Sequence, residues 1–487
     1  MKWLLLIPPT GNYIRDTRCQ TPIVDVFAVV NRAPADFLYI AGGLTKRGDN
    51  VIIMDCSVSG ISLDDLENYL MHHHIDYLLI NTTLYTYKED LQICELAKRY
   101  NPKITTIAKG AAFIYKPEAI LEMFIQLDIA VLREEENTII SIANKGCYEE
   151  VPNIVYRDNG KIKKNNIKID KKFRLPMPNI KQIDPQKYIR PDTGEAQATV
   201  VVARGCAGRC NYCIAPIIGG NQARYRCVDD VIDEIKLYVE ESDIYNFYFS
   251  SDSFTEDSEW VIEFCNKLSK FKYKINWLCT SRADLVNDSL LKTMKNAGCW
   301  GMAIGIESAN EDIQKDIRKE LSRDQILQCV KACNKYRIVT LCHFMIGFPH
   351  ETKNSIKQTI KFSKKIGCTI PEYYIVTPLP GTSLYNKVVK EGYFDPKNNK
   401  DIRYTMPNID TEYLTQKELL DLRFNAIISN YFNPLFYINA MKYITSFKQF
   451  KNMFIYTFIK ITKILKNIYK QRKKRNIIEK QCRSSNE

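Results

Sequence analysis

Arg204-Gly205-Cys206-Ala207-Gly208-Arg209-Cys210-Asn211-Tyr212-Cys213 sets three thiols at C-x3-C-x2-C, directly after a run that reads as a β-strand. With 16 cysteines in 487 residues, that spacing arises by accident about 0.02 times per chain of this composition. Three closely spaced thiolates on a loop suit an iron–sulfur cluster. A closed protein cage takes four ligands, so three leave one metal position open, as chemistry at a metal requires. Gly205 and Gly208 let the backbone fold tightly around such a group. Zinc is the competing metal, and buried thiols without a metal are the plain alternative. Structural zinc takes four ligands, and no His or fourth Cys stands at matching spacing. Cys227 is distant and precedes a helix.

The elements that must position this loop follow two alternations. In the first, strand-like runs fall at 2–8, 51–54, 77–81, 104–108 and 128–132. Helix-like runs fall between them at 37–46, 63–72, 89–100 and 118–126. A βαβα rhythm with short apolar strands implies a parallel sheet covered by helices, with ligands at the carboxyl ends of the strands. Residues 153–165 read as a hairpin turning at Asp158-Asn159-Gly160. A stretch rich in Pro, Lys and Asp then reads as linker. In the second alternation, strands fall at 198–203, 247–249, 275–279, 301–304, 339–345 and 373–376. Helices fall at 229–240, 260–271, 289–296, 323–336 and 353–365. Six strand–helix units predict a partial (β/α)6 barrel of the TIM type, with its chemistry at the C-terminal strand ends. The expected plan is an α/β chain. It has a Rossmann-like domain over 1–150, a linker with hairpin over 151–197, the partial barrel over 198–395, and a helical, basic region over 396–487.

The triad, with aromatic Tyr212 just before its third cysteine, resembles the signature of the radical S-adenosylmethionine (radical SAM) superfamily. In that family Cys206, Cys210 and Cys213 would be the catalytic and metal-binding set, holding a 4Fe–4S cluster. The open iron is chelated by the amino and carboxylate groups of SAM. One-electron reduction cleaves SAM to methionine and a 5′-deoxyadenosyl radical, which abstracts a hydrogen. The later motifs resemble, in order, the subgroup with an N-terminal cobalamin-binding domain. Ser251-Asp252-Ser253-Phe254-Thr255 matches Asp-Asp-x-Phe-Thr, with Ser251 in place of the first Asp. The resemblance turns Asp252 to the SAM amino group; a helix N-cap is the alternative. In Thr280-Ser281-Arg282-Ala283-Asp284, Ser281 and Arg282 are implied cofactor contacts, Arg282 holding the SAM carboxylate bidentately. A salt bridge with Asp284 is its alternative. Ala297-Gly298-Cys299 leads into Gly305-Ile306-Glu307-Ser308, whose Glu307 and Ser308 the family faces to SAM. Glu307 at a strand tip beside a Gly is hard to explain as core. Gly347-Phe348-Pro349-His350-Glu351-Thr352 matches Gly-x-Pro-Gly-Glu-Thr, with His350 for Gly, and Pro378-Leu379-Pro380-Gly381-Thr382 matches the closing Pro-x-Pro-Gly-Thr. Both motifs shape loops at the barrel mouth, and Gly347 and Tyr212 complete the implied cofactor-binding set. The resemblance covers residues 1–395.

The first domain carries the cobalamin-binding pattern in altered form. Asp55-Cys56-Ser57-Val58-Ser59-Gly60 aligns with Asp-x-His-x-x-Gly, with Ser57 where the imidazole would stand. Lys109-Gly110-Ala111-Ala112 replaces Gly-Gly-Pro, and Arg133-Glu134-Glu135-Glu136 replaces Gly-Glu-Gly-Glu. Those glycines allow close backbone approach to a ligand; Lys and Glu add bulk and charge. Cobalamin is therefore a candidate cofactor, and a supporting domain without it is the alternative.

The resemblance implies an enzyme that modifies an unactivated carbon of a small molecule or peptide, by methyl transfer through methylcobalamin. The enzyme alternative is oxidation, cyclisation or rearrangement without cobalamin. The non-enzyme alternative is a cluster-bearing electron carrier or redox sensor. A flavodoxin or ferredoxin would supply the electron. Scattered cysteines and no secretory pattern point to reduced thiols and a cytoplasmic location. The formal net charge is +13, concentrated after Tyr443. There Phe454, Ile455, Phe458, Ile459, Ile461, Ile464 and Leu465 interleave with Lys460, Lys463 and Lys466, and the basic run 470–475 follows. This segment suits either an interfacial helix on an anionic membrane or packing on the barrel with a solvated charge run. Nucleic acid is not expected, for no RNA-binding motif is present. His72-His73-His74 reads as solvated surface, since adjacent histidines cannot all face one ion.

Overall fold

Lys2–Ile7 is the middle of a sheet because its sequence gives it nothing to expose: Trp3, Leu4, Leu5 and Leu6 are all fully buried. A near-continuous apolar run of this kind marks a parallel strand covered on both faces. In the computed structural model, residues 1–15, 20–23, 31–145, 147–396, 404–444 and 446–484 are described. The first sheet runs Asn50–Asp55, Lys2–Ile7, Tyr77–Asn81, Thr105–Lys109, Ile129–Val131, Ile154–Asp158, Lys161–Lys164. Its first five strands are parallel. Their spatial order, 2-1-3-4-5 by chain position, is a doubly wound order that reverses between Lys2–Ile7 and Tyr77–Asn81. Ligands enter such sheets at that reversal, beyond the carboxyl ends of the strands.

The predicted hairpin is present, with Asn159 and Gly160 both at positive φ, 47° and 79°. Two central residues in the left-handed region match the twist of a tight two-residue turn. The hairpin lies outside no sheet: Ile154–Asp158 pairs antiparallel with Ile129–Val131 and extends the first sheet. The helix expected at 89–100 is two helices, Tyr87–Asp90 and Gln92–Tyr100. The break sets Asp90, fully buried, against Arg15 at 3.0 Å and the Thr86 hydroxyl at 2.6 Å.

The second sheet has six parallel strands in chain order: Gln197–Val201, Asn246–Ser250, Asn276–Arg282, Cys299–Glu307, Val339–Ile346 and Ile370–Ile375. Each crossover moves one strand along, as in a (β/α) barrel, and one apolar core packs one face of its strands against the helix layer. Asp257, not Asp252, caps the helix Ser258–Ser269, accepting from Trp260 N–H at 3.0 Å. The C-terminal region is helical, as expected: Gln416–Tyr431, Pro434–Met441 and Phe447–Ser484.

The two sheets meet through side chains of the helix Ala35–Lys46. Tyr39 donates to Glu234 at 2.8 Å and accepts from Val201 N–H at 3.0 Å. Tyr188 ties the linker to Asp55, donating at 2.8 Å. The carboxyl ends of both sheets thereby face one cleft.

Candidate active site

The triad loop leaves the short strand Ala203–Arg204 through Gly205, at φ +88°. A Cβ there would stand 2.2 Å from Gln222 O, so only glycine fits. Asp252, at the end of the neighbouring strand, accepts from Gly205 N–H at 2.7 Å. Glu256 accepts from Ala207 N–H at 2.9 Å and Ala223 N–H at 3.2 Å. Asn211 anchors the far end on Ile317 O and Asp316 O, at 3.1 and 2.8 Å. Three carboxylate and carbonyl anchors thus fix a loop that has no ladder of its own.

Each thiol of the triad is half-buried and meets one donor. Gly208 N–H points to Cys206 Sγ at 3.3 Å, Ala215 N–H to Cys213 Sγ at 3.5 Å, and Arg282 Nη1 to Cys210 Sγ at 3.8 Å. Donors of this kind stabilise thiolates and tune a cluster held by them. Burial pushes the Cys206 thiol up to about 12, so it keeps its proton until a metal displaces it. Among the described residues, no three His, Cys, Asp or Glu side chains converge on one single-ion position. A cluster asks for wider spacing, because each thiolate holds a different iron.

Arg282 takes up the alternative read for it, the salt bridge with Asp284. Its Nε and Nη2 hold Asp284 bidentately at 3.0 and 2.8 Å, and Nη2 also reaches Lys319 O at 3.0 Å. Its Nη1 remains directed at Cys210. Glu307 lies at φ +66° just past a register shift in its strand, and pairs with Lys319 at 2.6 Å. A Cβ on Gly305 would stand 2.6 Å from that carboxylate and 2.7 Å from that ammonium, so Gly305 makes room for the pair. Tyr212 packs edge-on to Phe348 at 5.7 Å. Burial, then the facing Glu307 carboxylate, holds its phenol well above its ordinary value.

Asp252, Arg282, Tyr212 and Glu307 are therefore gathered around the triad. Ser281 is buried, its hydroxyl against that of Thr255. Ser308 is turned away: its hydroxyl faces Thr359 at 3.2 Å and accepts from Asn310 N–H at 3.1 Å. Gly347 sits in a turn against Leu419, its N–H donating to Glu351 at 2.7 Å. Glu256, Glu351 and Lys319 were not among the residues singled out. Glu256 directly follows the Ser251–Thr255 motif and Glu351 lies inside a quoted motif. Lys319 carries no signal, for it arrives through a loop with Arg318 and Glu320 at positive φ. His72, His73 and His74 face Asn68 O, Tyr69 O and Asp76, three different neighbours.

Glu351 yields a pH test. It is fully buried, and burial pushes its carboxyl up to about 8, against the pull of the Gly347 and Phe348 N–H groups. The folded value lies above the ordinary 4.5. Its stabilisation is therefore complete below about pH 4.5 and is lost as pH rises through about 8. Thermal midpoints are expected to fall more steeply between those values in the wild type than in Glu351→Gln, whose amide does not titrate. Equal slopes would contradict this.

One cleft, with a cavity volume of about 200 Å³, joins the first sheet's reversal point to the triad loop. Ile7, Ser57 and Asn81 line it on one side, and Tyr248, Asp252 and Gly219 on the other. Ser57 spends its hydroxyl on Pro8 O and Gly11 O, at 3.0 and 2.9 Å. Asn81 is 3% exposed and its Oδ1 has no partner, so a polar ligand group is wanted at the reversal point. Cobalamin, fringed with amides, suits that demand. Lys109 and the acidic run do not stand free. Lys109 pairs with Asp36 at 2.5 Å, Glu134 with Arg224 at 2.7 Å, and Glu136 with Arg204 at 2.5 Å. Lys109 is absorbed within the first domain by Asp36 of the helix Ala35–Lys46, and Glu134 and Glu136 by the interface with the barrel.

A doubly wound domain and a six-stranded partial barrel, sharing a cleft at a three-cysteine loop, define an iron–sulfur α/β enzyme. Residues 200–363 match the radical SAM superfamily and residues 32–143 the B12 binding domain. The chain is a radical SAM protein with an N-terminal B12-binding domain, a class that brings a 4Fe–4S cluster, SAM and cobalamin. It is 26% identical, over 89% of its length and 93% of the relative's, to an uncharacterised methyltransferase of Pyrococcus horikoshii. Its fold resembles the cobalamin-dependent SAM radical enzyme OxsB, with a TM-score of 0.70 at 16% identity, covering 95% of this chain and 71% of that one. It also resembles the radical SAM methyltransferase TsrM of Kitasatospora setae, with a TM-score of 0.64 at 14% identity over 80% and 75%.

Proposed function

We propose that this protein is a radical SAM methyltransferase that sets a methyl group from cobalamin on an unactivated carbon of a small molecule. The observation that carries the reading is the single cleft: it opens at Asn81 and Ser57 and ends at Asp252 and Gly219 beside the triad. The bound groups supply the reductive cleavage of SAM and the carriage of the methyl group. Cys206, Cys210 and Cys213 hold the cluster, and their three donors tune it. Arg282 and Glu307 present a cation and a carboxylate for the two ends of an amino acid moiety. Asp252 and Glu256 keep the loop in place. Asn81 would offer its carboxamide to cobalamin, and Ser57 puts a hydroxyl rather than an imidazole on that side of the cleft. A one-electron donor of the flavodoxin or ferredoxin class completes the set. The methyltransferase relative supports methyl transfer.

The test is anaerobic reconstitution with iron, sulfide and cobalamin. Cobalamin is expected to co-elute with the chain, and S-adenosylhomocysteine to accumulate from SAM under reductant. An iron-loaded chain that cleaves SAM but retains no cobalamin would overturn methyl transfer and favour the cobalamin-free reading.

A further inference from the structure

The helix Phe447–Ser484 has two unlike sides. Gln449, Asn452 and Tyr456, at helical spacing, face the barrel. Gln449 donates to Asp192 at 3.1 Å, Asn452 lies beside Gly194, and Tyr456 is half-buried near Glu372 and Asp192. The other side is apolar and, as far as Phe458, open. Phe447, Phe454 and Phe458 are 81%, 65% and 65% exposed, with Phe450 and Ile455 beside them. Ile461, one turn beyond Phe458 on that same open side, packs on the barrel core, so the side is covered there. Tyr437, Ile438 and Met441 of the preceding helix are exposed too. The expected packing on the barrel is present on one side of the helix, and the other side stays uncovered along 447–458. The run 470–475 lies outside the residues whose side chains are described.

A contiguous aromatic surface of this extent marks an interaction site. Its charge narrows the partner. Residues 447–484 hold twelve Lys and Arg against one Glu, which is +11 of the chain's +13. Lys448, Lys451, Lys463 and Lys466 are exposed along the same stretch. A second copy would bring the same charge against itself. A nucleic acid would meet the lysines and stack on the phenylalanines, but would leave Ile438, Met441 and Ile455 in water. An anionic bilayer meets both, headgroups with lysines and the acyl boundary with rings and aliphatic side chains. Among the described residues no helix is long and apolar enough to cross a membrane, so the helix would lie in the interface plane.

We propose that this face docks the protein on the surface of an anionic lipid bilayer. The inference is independent of the chemistry at the triad, because the surface needs neither cluster nor SAM. The test is co-sedimentation of the full chain with vesicles of phosphatidylcholine, alone or mixed with phosphatidylglycerol. Binding to the mixed vesicles is expected to be about tenfold tighter and to weaken with salt. The exposed pairs Phe454→Ser with Phe458→Ser, and Lys448→Glu with Lys451→Glu, should each lower it about tenfold with the circular dichroism unchanged. Equal binding to both vesicles, or full affinity in the two variants, would overturn the proposal. So would vesicle binding abolished by competing RNA, or self-association through these phenylalanines.

Discussion

Alanine at Cys206, Cys210 or Cys213 is expected to abolish SAM cleavage, each substitution alone sufficing. The three thiols are the only protein ligands the loop offers, and each would hold one iron. Two thiolates leave a second iron without a protein ligand. The loop cannot recruit another: Cys227 is exposed and precedes the helix Val228–Ser242. The anchors through Asp252, Glu256 and Asn211 do not involve the sulfurs. The variants should therefore fold and lose iron together with activity. Cys227→Ala is the control and should keep both. Iron and sulfide content and SAM turnover are the readouts. A triad variant with full iron and wild-type turnover would contradict the assignment.

The largest stability effect is expected at Glu234. It is fully buried in the helix Val228–Ser242 and 2.5 Å from the guanidinium of Arg226, itself 2% exposed. It also accepts from Tyr39 at 2.8 Å, and Arg226 donates to Val201 O at 3.0 Å. Burial pushes the Glu234 carboxyl up, and Arg226 and Tyr39 oppose it. Glu234→Ala would leave the buried guanidinium without its carboxylate and the phenol O–H without its acceptor. Breaking a buried pair from one side costs about 3–5 kcal/mol. Denaturant unfolding of the wild type and of Glu234→Ala checks this. A loss below about 1 kcal/mol, the scale of an exposed pair, would contradict it. The effect reaches the site, because Tyr39, Glu234 and Arg226 fix the strand Gln197–Val201 that leads into the triad loop.

How far the sequence could be read depended on the range of the forces involved. Parallel strands such as Lys2–Ile7 and Tyr77–Asn81 are buried on both faces, so their apolar runs announced them. The hairpin was visible from Asp158-Asn159-Gly160, but its pairing with Ile129–Val131 is a long-range register that no local pattern encodes. The split at Leu91 follows from Asp90 reaching Arg15, 75 residues away. At the site, fixed spacing made the triad plain. Lys319, which pairs with Glu307, arrives through a loop and left no mark. Lys109 and Glu134–Glu135–Glu136 read as obstacles to a ligand; their partners Asp36, Arg224 and Arg204 come from other elements and turn them to structural use. Asp252 read as a contact or a cap, and its role is neither a cap nor free: it holds Gly205.

The central claim is that the triad loop holds a cluster that activates SAM. The most direct measurement is the formation of 5′-deoxyadenosine from SAM by the anaerobically reconstituted chain, with and without reductant. With about four irons bound per chain, formation is expected to depend on reductant and to vanish in Cys210→Ala. A fully iron-loaded chain that leaves SAM intact under reductant would contradict the account.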